Sequence, residues 1–277
     1  MKKTILIVAL FSATIAQAQK LELKWKTDTI FRVPESVYLD TRADVLYVAN
    51  IDGKSDQKDG KGFISKLSRD GKIIHLEWVS GLNAPKGMGV VKDKLYVADI
   101  TAVVVIDITT GKITATHEIE GAKFLNDITT DASGNVYISD SGAGRIYRIQ
   151  GDGKPELYFE STELKRVNGL LALKEGLYVA DAGTGVNYKL SPEKTLTRFS
   201  ETAPGADGIV MTGKDGFIVS SWGGEIYFVT AEGKSQKMLD TKEQKLNSAD
   251  IAYDGKSKIV FVPTFFGNSV MAYSFSK

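Results

Sequence analysis

The chain has 277 residues, 43% of them hydrophobic and 25% charged, which is ordinary globular composition. A net charge of +1 argues against a dominant nucleic-acid or anionic-membrane role. With no cysteine at all, stability has to come from packing and not from disulfides.

Residues 1–18 stand apart. Lys2 and Lys3 form a basic start, Thr4 to Ile15 an apolar core, and Ala16-Gln17-Ala18 a small-x-small cleavage site. This pattern predicts a secretory signal peptide cut before Gln19, and a periplasmic or secreted protein. The apolar run is too short to anchor the chain in a membrane, so no membrane insertion is expected. Cleavage removes both lysines and turns the net charge from +1 to −1. Residues 19–277 then read as a single domain, expected to be monomeric.

Within it, Phe124 to Ile149 predicts three short strands separated by the Ser133-Gly134-Asn135 turn and a Gly-rich loop at Ser141 to Gly144. The unit recurs. Tyr47, Tyr96, Tyr137, Tyr178, Ile218 and Phe261 mark equivalent strands at spacings of 40 to 49 residues. Six units near this period predict an all-β, six-bladed β-propeller of four-stranded blades. Turns such as SRDGKI (68–73), ITTGKI (108–113) and QGDGKP (150–155) join third to fourth strands. The sixth unit ends at SVMAYSFSK without such a turn. Its fourth strand is therefore expected from LELKWKT (21–27), so that the N-terminal strand closes the last blade and covers an open edge.

The first unit is lengthened by NIDGKSDQKDGKG (50–62). That stretch lacks the spacing of an EF-hand loop and reads as a solvated loop, placed to act as a lid over the tunnel mouth.

Aligning the six units puts Glu35, Lys86, Asn126, Asn168, Asp207 and Ala249 at the starts of the innermost strands, facing that mouth. Two carboxylates and two amides suit a hard, oxygen-seeking cation. Calcium is expected, and not zinc, which prefers His or Cys. Glu35, Asn126, Asn168 and Asp207 are the candidate metal ligands. Asp207, Lys86 and Asn126 are the candidate catalytic residues: Asp207 to take a proton from water, Lys86 to stabilise an oxyanion or pair with a substrate carboxylate. The same polar residues would also serve simply to solvate a tunnel mouth.

Glu35, Asn126-Asp127, Asn168-Gly169 and Asp207-Gly208 at blade spacing resemble the senescence marker protein/gluconolactonase (regucalcin-like) family, six-bladed calcium-dependent lactonases related to diisopropyl fluorophosphatase and paraoxonase. The resemblance implies that Glu35, Asn168 and Asp207 ligate calcium directly. It implies that Asn126 is a further ligand or orients the substrate, and that Asp207 is the general base. A small-molecule lactone or ester is the substrate so implied. This chain departs from the family's pattern in having Pro34-Glu35-Ser36 at the first site, Phe124 in place of an arginine two residues before Asn126, and Val167 before Asn168-Gly169, with Arg166 nearby.

The remaining signals divide. Asn50, Asp99, Asp140 and Asp181 end successive second strands, with Ser221 and Thr264 in the last two units; this repetition predicts hydrogen bonds between loops of neighbouring blades. His75 and His117 fall in outer strands, which disfavours a histidine-based dyad. Trp222, Phe265 and Phe266 follow second strands and either wall a substrate or pack between loops. VYISDSGAGRIYRI also resembles the NHL repeat, so a non-catalytic ligand- or protein-binding propeller with purely structural calcium is the alternative. Mouth residues that differ from blade to blade favour the site.

Overall fold

Period-two alternation, cut by Gly-, Asp- and Asn-rich turns, folds the described residues into 24 strands in six four-stranded antiparallel sheets. The structure is a computed structural model that describes residues 19–276; the expected signal peptide at 1–18, and Lys277, lie outside the described residues. Blades 1 to 5 begin with the innermost strands Pro34–Asp40, Pro85–Val91, Leu125–Thr130, Val167–Leu173 and Ala206–Met211. Each then runs outward in sequence order. Blade 6 begins with the short strand Ala252–Asp254.

The ring closes as the sequence predicts. Lys20–Lys26 pairs antiparallel with Val270–Ser276 and is the outermost strand of blade 6, with Leu21 opposite Phe275. Leu21 joins Phe228 and Phe275 in the core between blades 5 and 6, and the Trp25 ring lies 5.9 Å from that of Phe261. At the axis, blade 6 meets blade 1 through the backbone. Asp250 donates its N–H to the Glu35 carbonyl (3.0 Å) and accepts from Val37 (3.2 Å). First and last blades are thus joined both at the centre and at the rim.

The core lies between the blades. One apolar layer brings Tyr47, Ile64 and Leu82 of blade 1 against Met88, Val97 and Ile106 of blade 2, and equivalent layers separate the following pairs. Each sheet is therefore apolar on both faces, while the outermost strands are largely exposed. Among the described residues no helix is long and apolar enough to cross a membrane.

One expectation is corrected. The side chains that end the second strands do not bond to neighbouring blades. Asp99 accepts from the N–H groups of Asn83 and Ala84, Asp140 from Lys123 and Phe124, and Asp181 from Arg166. Each clamps the segment that enters its own blade. The sheet order explains this: the second strand lies beside the first, so its terminal carboxylate reaches the N–H groups just ahead of that first strand.

Candidate active site

The innermost strands carry a repeated irregularity at the mouth. In blades 2 to 5 the pairing of first and second strands slips at Lys86-Gly87, Asn126-Asp127, Asn168-Gly169 and Asp207-Gly208, and in blade 1 it slips at Glu35. In blades 2 to 5 two residues face one on the partner strand, a β-bulge, which re-aims side chains and frees them from the ladder. Glycine is needed behind the mouth residue because the next blade presses close: a Cβ on Gly169 would lie 1.8 Å from the Asp207 carbonyl oxygen, and one on Gly87 would lie 2.5 Å from the Asp127 Cα.

These bulges bring Glu35, Lys86, Asn126, Asn168 and Asp207 together on the wall of one central cavity of about 310 Å³. All five predicted site residues meet there, and all are buried. Ala249, the sixth position, is fully buried and bonds through its N–H to the Pro263 carbonyl, so blade 6 adds no side-chain oxygen. Blade 6 contributes Phe265 and Phe266 instead.

Three of these side chains carry a buried oxygen with no hydrogen-bond partner: Glu35 Oε2, Asn168 Oδ1 and Asp207 Oδ1. Asn126 donates through Nδ2 to Ser141 Oγ (3.2 Å), which in turn donates to the Val167 carbonyl; this leaves Asn126 Oδ1 for the cavity. Oxygens of this kind cost about 1–3 kcal/mol each when left unpaired. A donor set of two carboxylates and two amide carbonyls fits a hard divalent cation such as calcium. Among the described residues no three His, Cys, Asp or Glu side chains form a metal-ligand cluster; half of this set is amide.

Beneath these residues the next register position places Asp127 and Asp250 on the axis, lining a second cavity of about 290 Å³ on the opposite face. Asp127 accepts from the N–H groups of Ile128 and Leu170, both at 2.6 Å, and Asp250 from Ser36 Oγ at 2.5 Å. Burial pushes the Asp207 carboxyl well above the usual range and Asp250 adds to it, while Arg166 and Asn168 act in the opposite sense. Burial likewise raises Glu35, with Asp207 adding to it and Lys86 opposing. Burial raises Asp127, and it carries Asp250 up to about 7. Without a cation these carboxyls are shifted toward their neutral, protonated forms.

Lys86 is 1% exposed. Its Nζ donates to the carbonyls of Ala84 (2.8 Å) and Ser55 (3.0 Å) and stands 4.5 Å from the centre of the Phe124 ring. Burial lowers its pKa to about 8, with Glu35 opposing the shift. Through Ser55 it fastens the 50–62 loop, whose Ile51 and Ser55 line the cavity, as a lid would. Gly60 N–H to Asn83 Oδ1 and Lys58 Nζ to Thr101 Oγ1 hold the same loop over blade 2. His75 and His117 lie on outer strands, away from this cavity.

Sequence reasoning did not single out Asp127 and Asp250 as axial groups, nor Ile51 and Ser55 as wall. The Asn126-Asp127 and Ala249-Asp250 pairs held the signal for the two acids, one residue past the mouth position.

A six-bladed ring with an oxygen-lined axial cavity defines a propeller with a central tunnel site. The model of the SMP-30/gluconolactonase/LRE-like region matches residues 33–264, and the chain belongs to that family. No curated protein sequence matches the chain. Among solved structures it is similar to a streptogramin B lyase, at 13% identity and a TM-score of 0.68 over 93% of this chain and 98% of that one. It is also similar to a catalytically inactive histidine-to-alanine variant of virginiamycin B lyase from Staphylococcus aureus with quinupristin, at 13% identity and a TM-score of 0.66 over 93% and 99%. At such identity these two share the fold alone.

Proposed function

We propose that the chain is a calcium-dependent hydrolase of a small lactone or ester, acting at the central cavity. The observation that carries this reading is the set of buried oxygens on Glu35, Asn168 and Asp207 that have no hydrogen-bond partner. Those three residues, with Asn126, would hold the ion. A bound calcium supplies a Lewis acid for the acyl carbonyl and acidifies water.

The protein's own part follows from the residues present. Asp207 accepts the proton of the attacking water as its oxygen forms a bond to the acyl carbon. The acyl C–O bond then breaks, and the leaving alkoxide takes that proton back as alcohol, or as the hydroxyl of the opened lactone. Lys86 has two of its three N–H donors on backbone carbonyls, so one remains for an oxyanion. The Asn126 carbonyl lies at the same wall to orient the substrate.

The lyases that share the fold do not suggest a better chemistry. One of them is inactive as a histidine-to-alanine variant, whereas this chain has two histidines, both outside the cavity.

The test is hydrolysis of a panel of lactones and aryl esters by the mature chain, with calcium and after chelation. Calcium-dependent turnover lost in Glu35→Gln and Asp207→Asn supports the proposal. Absence of turnover together with a calcium-dependent rise in Tm would replace it with a metal-stabilised binding propeller.

A further inference from the structure

The cavity has a second character besides its oxygen floor. On the side of blades 5 and 6 its lip is three aromatic rings. Phe265 and Phe266 meet edge to face at 4.8 Å and 88°, and Trp222 meets them at 5.5 Å and 5.9 Å, both near perpendicular. Mutual packing does not bury them: Trp222 is 39% exposed and Phe266 is 65% exposed, among the few large apolar side chains of the described residues left open to water. A cluster kept open at a cavity mouth is the usual sign of a surface that takes an apolar ligand.

The backbone that presents these rings is held under strain. Phe265 has φ of 47°, a left-handed conformation rare for a bulky residue. The surrounding turn enforces it: Thr264 Oγ1 bonds within the 264–269 loop, and Asn268 Oδ1 accepts from Val33 N–H at 2.9 Å. The opposite wall offers little to a polyhydroxylated molecule. Beyond the cation-binding oxygens, the polar side chains of the lining are Ser55, Arg166 and Lys86, and Lys86 is mostly engaged. Ser55, Arg166 and the third Lys86 N–H can meet a few sugar hydroxyls, and the other hydroxyls of a polyol placed there would lose water without gaining partners, at about 1–3 kcal/mol for each buried group left unpaired.

We infer that the substrate of this site is an aryl lactone or aryl ester, whose flat ring seats in the corner formed by Trp222 and Phe266 while its carbonyl faces the oxygen floor. The inference rests on the hydrolase reading for its chemistry and on the aromatic corner for its selectivity.

The two parts are separable with three six-membered lactones that differ in what they carry: dihydrocoumarin (a fused aryl ring), δ-valerolactone (no substituent) and glucono-δ-lactone (a polyol). Binding is read by Trp222 fluorescence in chelated protein, and turnover is read after calcium is added. Trp25 packs on Phe261 and Trp78 stacks on Tyr47, both away from the mouth, so Trp222→Phe assigns the signal.

The expected order of affinity is dihydrocoumarin first and glucono-δ-lactone last, with a preference of about tenfold or more that Trp222→Ala and Phe266→Ala each reduce severalfold. Glucono-δ-lactone binding as well as dihydrocoumarin, or an order unchanged in both variants, overturns the inference. Turnover of all three at similar rates would keep the hydrolase and discard the aryl preference. Selective aryl binding with no turnover would keep the aromatic seat and discard the hydrolase.

Discussion

Asn168 and Asp207 stand on neighbouring blades at the wall of one cavity, and one oxygen of each, Asn168 Oδ1 and Asp207 Oδ1, is buried without a hydrogen-bond partner. Both present oxygen to the same cavity. Asp207→Asn removes the charge and the base together. It is expected to abolish the calcium-dependent rise in Tm and to lower kcat by about 10²–10⁴-fold. Full activity in Asp207→Asn would contradict the base assignment.

The buried acids give the calcium-free chain an unusual pH dependence. A carboxyl whose folded pKa is raised binds more protons folded than unfolded, so its stabilising effect is complete below the unfolded value and is lost as pH rises through the folded one. For Asp250 that window runs from 3.8 to about 7, and Glu35, Asp127 and Asp207 are raised as well. Thermal melts of chelated protein and of Asp250→Asn should agree most closely at low pH, and the variant should gain on the parent as pH climbs to about 8. A constant difference across that range would contradict the burial of a titrating Asp250.

The closeness of blades 4 and 5 at the axis predicts a sharp effect of one methyl group. Gly169→Ala places a Cβ against the Asp207 carbonyl, at 1.8 Å before relaxation. Moving the strand apart should cost about 1–3 kcal/mol and weaken calcium binding, since Asn168 and Asp207 sit on the two strands that separate. Gly223→Ala, where a Cβ meets nothing within 4 Å, is the control and should leave Tm unchanged. Calorimetric Tm values for the pair check this.

The N-terminal strand is expected to be indispensable. Deleting residues 20–26 uncovers Val270–Ser276 and removes Leu21 and Trp25 from the blade 6 packing. A fall in Tm of many degrees, with aggregation through the freed edge, is the predicted result. A melting temperature equal to that of the full chain would show that closure contributes nothing.

The ring and its closure were legible because both follow from local patterning: the 40–49-residue spacing of the second strands, and a last unit one strand short. Glu35, Lys86, Asn126, Asn168 and Asp207 were legible because each holds the same place in its repeat. The partners of Asp99, Asp140 and Asp181 were not, since repetition shows equivalence but not the direction in which a side chain reaches. Lys86 shows the same limit. Its position at the mouth was readable, whereas its bond to Ser55 depends on how the 50–62 loop folds back over blade 2. The axial Asp127 was missed because a bulge turns two successive residues inward where plain alternation turns one, and Asp250 because it precedes the short first strand of blade 6 and pairs only with Ser36 of blade 1.

Calcium binding to residues 19–277, measured by titration calorimetry after chelation, decides whether the axial oxygens hold an ion. Saturable binding at one ion per chain is expected, abolished in Asp207→Asn and in Glu35→Gln. No binding at millimolar calcium, or binding unchanged in both variants, would contradict it.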